Sequence, residues 1–146
     1  MPQRQLSIGT IITIGLILGL SLAFADSLAA GQTVTSTGSV TAIGIGVYSD
    51  NPPTVKLTSI NWGVIDKGTD SIRIVYLLNS GNKDVNLTMT TTGWNYTTGL
   101  SCTWNMENTT LQPNTVIAAN VQLHVDQSAV SGANFAFNIT FTGTQI

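Results

Sequence analysis

Beyond residue 31 the chain repeats with a period of two. Val85, Leu87 and Met89 alternate with Asn86, Thr88 and Thr90. Ile117, Ala119, Val121, Leu123 and Val125 alternate with Ala118, Asn120, Gln122 and His124. Phe135, Phe137, Ile139 and Phe141 alternate with Ala136, Asn138, Thr140 and Thr142. Each pattern predicts a β-strand with one buried and one solvated face. Ile72 to Leu78 is apolar on nearly both faces, Arg73 excepted, which predicts a central strand. Between these runs stand turn signals: Asn51-Pro52-Pro53, Asp66-Lys67-Gly68, Asn79-Ser80-Gly81-Asn82 and Gln112-Pro113-Asn114. Asp126 to Gly132 reads as one helical turn capped by Asp126. Short strands at this spacing predict an all-β sandwich with Greek-key links over residues 49–146.

The N-terminus follows a different rule. Arg4 precedes an uncharged, Ile- and Leu-rich run from Leu6 to Ala25 that closes on Ala23-Phe24-Ala25. This is the form of a signal peptide, residues 1–25, cut between Ala25 and Asp26. A second cut is readable near Ala29-Ala30, and a retained membrane helix is the alternative, since the run is about as long as the shortest spans. A pilin-type leader lacks its basic-Gly processing site ahead of the run. The signal-peptide reading predicts an exported protein at or outside the cell surface, touching membrane only through an uncleaved leader.

Residues 26–48 form an extension with a pattern of its own. Thr33, Thr35, Thr37, Ser39 and Thr41 alternate first; then Ile43, Ile45 and Val47 are predicted on one face and Gly44 and Gly46 on the other. Two readings stay open. The segment is the first strand of its own sandwich, or it completes the sheet of a neighbouring subunit by strand addition. Head-to-tail use of such a contact builds an open filament.

Composition narrows the chemistry. Charged residues make up 8% of the chain and the net charge is −2, so nothing favours nucleic acid as a partner. Solubility must come from glycans or from burial against neighbours. Four Asn-x-Ser/Thr sequons supply glycan sites at Asn86, Asn95, Asn108 and Asn138. The lone Cys102 excludes an internal disulfide and reads as a buried thiol. The lone His124 cannot make a metal site. No acidic pair has acid/base spacing, and Asp66, Asp70 and Asp84 fall near turns. No enzyme activity, cofactor or metal is expected.

Three strings carry a family likeness: Ser59-Ile60-Asn61-Trp62-Gly63-Val64-Ile65-Asp66-Lys67-Gly68; Asn79-Ser80-Gly81-Asn82 with Leu87 and Thr91-Thr92-Gly93-Trp94; and Leu123-His124-Val125, Gly132 and Phe135-Ala136-Phe137-Asn138-Ile139. Together they resemble the secreted immunoglobulin-like sandwich domains common in archaea. Some of those domains are subunits of extracellular threads and bundling pili assembled by donor-strand complementation. The resemblance implies a structural role without catalytic residues. It maps a donor strand onto Val40, Ala42, Ile43, Gly44, Ile45, Gly46 and Val47, with copies of the same chain or other surface proteins as partners. Two other functions remain open: a glycan-binding or adhesion module with Trp94, Tyr96 and Trp104 as an aromatic platform, and a membrane-anchored sandwich domain of a surface complex.

Overall fold

The computed structural model describes residues 33–146. The leader, with its cleavage site between Ala25 and Asp26, lies outside the described residues. Nine strands run in the order β1 (Thr33–Ile43), β2 (Gly46–Tyr48), β3 (Ser59–Asp66), β4 (Thr69–Leu78), β5 (Val85–Thr92), β6 (Leu100–Trp104), β7 (Thr110–Leu111), β8 (Val116–Val125) and β9 (Asn134–Gln145). They form two sheets, ordered β3-β1-β9-β5-β7 and β2-β4-β8-β6. All pairings are antiparallel except β1 with β9.

The period-two pattern decides which side chains meet. Val85 and Leu87, together with Phe135, Phe137, Ile139 and Phe141, leave the five-stranded sheet for the interior. Val75, Leu77, Ala119, Val121, Leu123 and Val125 come from the other sheet, and one continuous apolar core results. The outward residues of β5 and β9 are Thr, Asn and Ala, which hold that face in water.

Three local features depart from the sequence expectation. First, β3 carries a bulge. Ser36 pairs with Gly63 and Thr37 with Asn61, so Trp62 has no opposite partner. Gly63 takes φ +72°, a conformation that suits glycine. The bulge shifts the phase: Ile60, Trp62 and Ile65 are buried, while Val64 is 62% exposed. Second, β4 is interior to its sheet only in part. The short β2 covers Tyr76 to Leu78 alone, and the outward Ile72 and Ile74 lie open at 52% and 56% exposure. Two apolar faces therefore do not mean two buried ones here. Third, Asp126 to Gly132 contains no helix; Asp126 Oδ1 accepts from the Ser128 N–H at 2.8 Å in a side-chain-closed turn.

Residues 33–48 are likewise not one continuous ladder. The chain leaves the five-stranded sheet at Ile43, turns through Gly44 and Ile45, and enters the other sheet as β2. Val47 is buried and Ile43 is 53% exposed, so the predicted common face of Ile43, Ile45 and Val47 does not form. The turn requires Gly44, whose φ is +72° and where any Cβ would overlap the Gly143 carbonyl. At Gly63 φ is the same, but a Cβ would meet nothing within 4 Å. Gly44→Ala should therefore cost the monomer about 3 kcal/mol, against about 1 kcal/mol for Gly63→Ala. Urea denaturation of both variants checks this; equal losses would contradict the close approach at the crossover.

Candidate functional site: the slot filled by the N-terminal strand

The first described strand lies in the interior of a sheet, hydrogen-bonded on both sides. On one side Thr35 to Ile43 pair in parallel with Asn134 to Thr142 of β9. On the other, Thr33 to Ser39 pair with Asp66 to Ser59 of β3, and the Val40 N–H adds a bond to the Thr58 carbonyl at 2.9 Å. No ladder joins β3 to β9 directly; β1 is the only strand between them.

For so central a strand, β1 has a thin grip on the core. Among its side chains described from Ser36 onward, Ser36 and Gly38 are the most buried, Val40 is half-buried, and Ala42 and Ile43 are exposed. The bulk in the slot comes from its walls. A Cβ on Gly38 would come within 3.4 Å of the Trp62 indole nitrogen and 3.7 Å of Ile139 Cδ1. Trp62 and Phe137 stack with ring centroids 6.4 Å apart, and Trp94 lies flat on Phe137 at 3.8 Å. Ser36 Oγ and Trp62 Nε1 are both buried without a hydrogen-bond partner among the described residues. Such groups cost about 1–3 kcal/mol each. From Ser36 onward, main-chain pairing more than side-chain anchoring thus holds β1 in place.

Arg73 closes the flank of the slot. Its guanidinium donates to the main-chain carbonyls of Asn61 (3.2 Å) and Trp62 (3.0 Å) and lies 5.7 Å from the Trp62 ring centroid. The charge that interrupts the apolar β4 run thereby caps part of the free edge of β3, and an inward charge of this kind discourages further pairing there. The far edge of the same sheet is capped too: the Glu107 carboxylate accepts from the Met89 N–H at 3.2 Å and the Trp104 indole N–H at 2.6 Å.

Of the residues mapped as a donor strand, Val40, Ala42 and Ile43 lie in β1, Gly44 and Ile45 in the crossover, and Gly46 and Val47 in β2. Thr33 to Ser39, which make the most pairings with both neighbours, were outside that mapping; their Thr/Ser alternation is the signal that marks them.

The four sequons share one side of the molecule. Asn86 and Asn138 point outward from β5 and β9. Asn95 extends the same sheet: its N–H donates to the Ala136 carbonyl (3.2 Å) and its Oδ1 accepts from the Ala136 N–H (2.8 Å). Asn108, at φ +59°, brings its Oδ1 to 3.5 Å from Asn86 Nδ2. The Ser39 hydroxyl donates to Asn138 Oδ1, tying a sequon to β1.

The other residues singled out in the sequence are not brought together. Trp94, Tyr96 and Trp104 are half-buried against the core instead of standing as free rings. The Tyr96 hydroxyl accepts from the Val130 N–H at 3.0 Å. His124 faces outward and its Nδ1 lies 2.7 Å from Asp70 Oδ1, a contact that lowers the Asp70 pKa. Asp66 and Asp84 stand apart from this pair, at the end of β3 and just before β5. Cys102 sits on β6 opposite Leu123, facing inward. A cleft of about 320 Å³ beside Cys102, Met89 and Trp104 contains one carboxylate, Glu107, already bonded as above. No group of three metal-ligating side chains occurs among the described residues. Comparison with models of known protein families, with curated proteins and with solved structures gave no match.

Burial pushes the Cys102 thiol up to about 12. At pH 8 its thiolate fraction is then roughly a thousandfold below that of a free cysteine. Alkylation of the folded protein should be slower than in urea by at least that order, and a native rate close to the unfolded rate would contradict the burial of β6.

Proposed function

We propose that the protein is a secreted structural subunit whose N-terminal strand is donated to the slot between β3 and β9 of a neighbouring copy, building an extracellular filament or surface assembly. One observation carries this reading. The first described strand is the one that fills the middle of a sheet, yet from Ser36 onward it meets the core through Ser36, Gly38 and Val40, two of them with little or no side chain. A segment of this kind can leave and be replaced by an equivalent segment, because main-chain pairing is the same in either source.

Strand exchange conserves every contact within the slot, so the balance between self-insertion and donation rests on the crossover and on concentration. The crossover is the two-residue turn Gly44-Ile45, pressed against Gly143. A short, crowded hinge favours opening into the extended form. Donation relieves the close approach, and the same glycine then serves as the joint between subunits. Leader removal at Ala25 would leave residues 26–32 ahead of β1, short enough to thread into a neighbour. The two-sheet order, β3-β1-β9-β5-β7 against β2-β4-β8-β6 with β1 and β9 parallel, is of the sandwich kind that the immunoglobulin-like Greek-key reading requires. The half-buried rings of Trp94, Tyr96 and Trp104 lend less support to a glycan-binding platform.

Ser39 and Ser59 test the proposal. They are directly opposite in antiparallel register, and the Val40 N–H bond to the Thr58 carbonyl makes them a non-hydrogen-bonded pair, the type with the closest side chains. Joint Ser39→Cys and Ser59→Cys substitution in the secreted protein, followed by oxidation, should give a ladder of disulfide-linked multimers on a non-reducing gel. Cross-linked monomer alone would show that β1 stays in its own chain and would sink the filament.

A further inference from the structure

The two outer faces of the sandwich differ in chemistry. On the five-stranded sheet, cross-strand rows read Ser59–Ser39–Asn138–Thr92, Thr41–Thr140–Thr90 and Ile43–Thr142–Thr88, mostly uncharged hydroxyls and amides, with the exposed Ile43 at one end of β1 and the exposed Val64 beside the other. All four sequons belong to this side. On the four-stranded sheet an apolar strip follows β4: Ile72, Ile74, Tyr76 and Leu78, flanked by Tyr48 on β2 and Val116 on β8. Ile72 and Ile74 are more than half exposed, and Val116 is 37% exposed. Asn120 and Gln122, the partners of Ile74 and Ile72, are uncharged, and neither Asn105 nor Asn120 on this side lies in a sequon.

The geometry points to the outer face of the four-stranded sheet as a self-association surface that takes a second copy of this chain, face to face. Three observations select that occupant. The outward residues of these four strands carry one ionisable pair, Asp70 with His124, in contact with each other at one end of the strip, and Lys56 bridges Tyr48 at the edge of the sheet. Two such faces can meet along the isoleucine strip without opposing like charges, whereas a partner recognised by its charge would find no counter-charge on that strip. The exposed isoleucines form a continuous strip, which on a monomer marks a contact surface. Every site that can carry a glycan is on the opposite side, so each copy of a glycosylated protein would keep this face bare. Four strands spaced about 4.8 Å apart, the longest of 10 residues, give a footprint of roughly 500 Å² a side, or about 1,000 Å² in all. That is the low end of specific interfaces, so the contact is expected to be reversible on dilution.

This contact does not involve β1 and stands or falls apart from strand donation. The test uses the full chain secreted from a host with N-glycosylation, followed by sedimentation velocity over a dilution series. The wild-type protein should show a reversible association. Joint Ile72→Thr and Ile74→Thr substitution keeps β-branched residues on the strand and should weaken it at least about tenfold. Gln122→Thr turns Asn120 into a sequon in the middle of the face; its glycan should abolish the association, and enzymatic removal of the glycan should restore it. Thr90→Val on the opposite face should change nothing. In all four proteins the Ser39/Ser59 cross-linking pattern should stay as in the parent, which separates this contact from strand donation. Absence of reversible association in the wild type, or association that survives both the double substitution and the Asn120 glycan, would overturn the proposal.

Discussion

The paired main chain on both sides of β1 is the constraint on which the rest of the fold depends. Without β1 the five-stranded sheet separates into β3 alone and β9-β5-β7. Trp62 would lose the neighbour that lies against its indole nitrogen, and the Trp62–Phe137–Trp94 stack would open to solvent along one side. From Ser36 onward the strand contributes little buried apolar surface of its own. Its role is to satisfy the backbone groups of β3 and β9, which would otherwise present two unpaired edges beside an aromatic core. A groove of that description binds an extended strand of almost any sequence with small inward residues, and Ser36 and Gly38 are small.

Much of this was legible in the chain. Strict alternation in β5, β8 and β9 gave both the strands and their inward faces, because a half-buried strand has one solution to its side-chain period. The turns at Asp66-Lys67-Gly68 and at Asn79 to Asn82 were equally plain. Asn79 proves to be more than a turn former: it is buried, and its amide donates to the carbonyls of Lys83 and Leu111. What the pattern could not convey were the places where one glycine breaks the period. At Gly63 a bulge moves Ile65 inward and Val64 outward. At Gly44 the chain changes sheets. Both depend on a backbone conformation that the sequence permits but does not require, and partner strands decide it. The apolar double face of β4 was misleading for a related reason. Burial of its outer face needs a covering layer, and among the described residues there is none over Ile72 and Ile74.

The slot itself was half visible. The Ile/Gly alternation around residues 43–47 stands out in the sequence because its side chains are conspicuous. The segment that does most of the pairing, Thr33 to Ser39, is conspicuous only for its repeated Thr and Ser. Backbone-driven recognition leaves a faint mark in sequence because the groups that matter are common to every residue. The proposed role would also account for the paucity of charge: a subunit with hydroxyls and sequons on one face and an apolar strip on the other, covered in an assembly, would need few ionised groups to stay in solution.

The central claim concerns which chain supplies the strand between β3 and β9. Electron cryo-microscopy of native surface fibres answers it directly, by tracing the main chain through Gly44 and Ile45. The account predicts continuous density from the strand in one sandwich, across that joint, to β2 of the adjacent one. Density that turns at Gly44 and returns to β2 of the same sandwich, in every subunit, would contradict it.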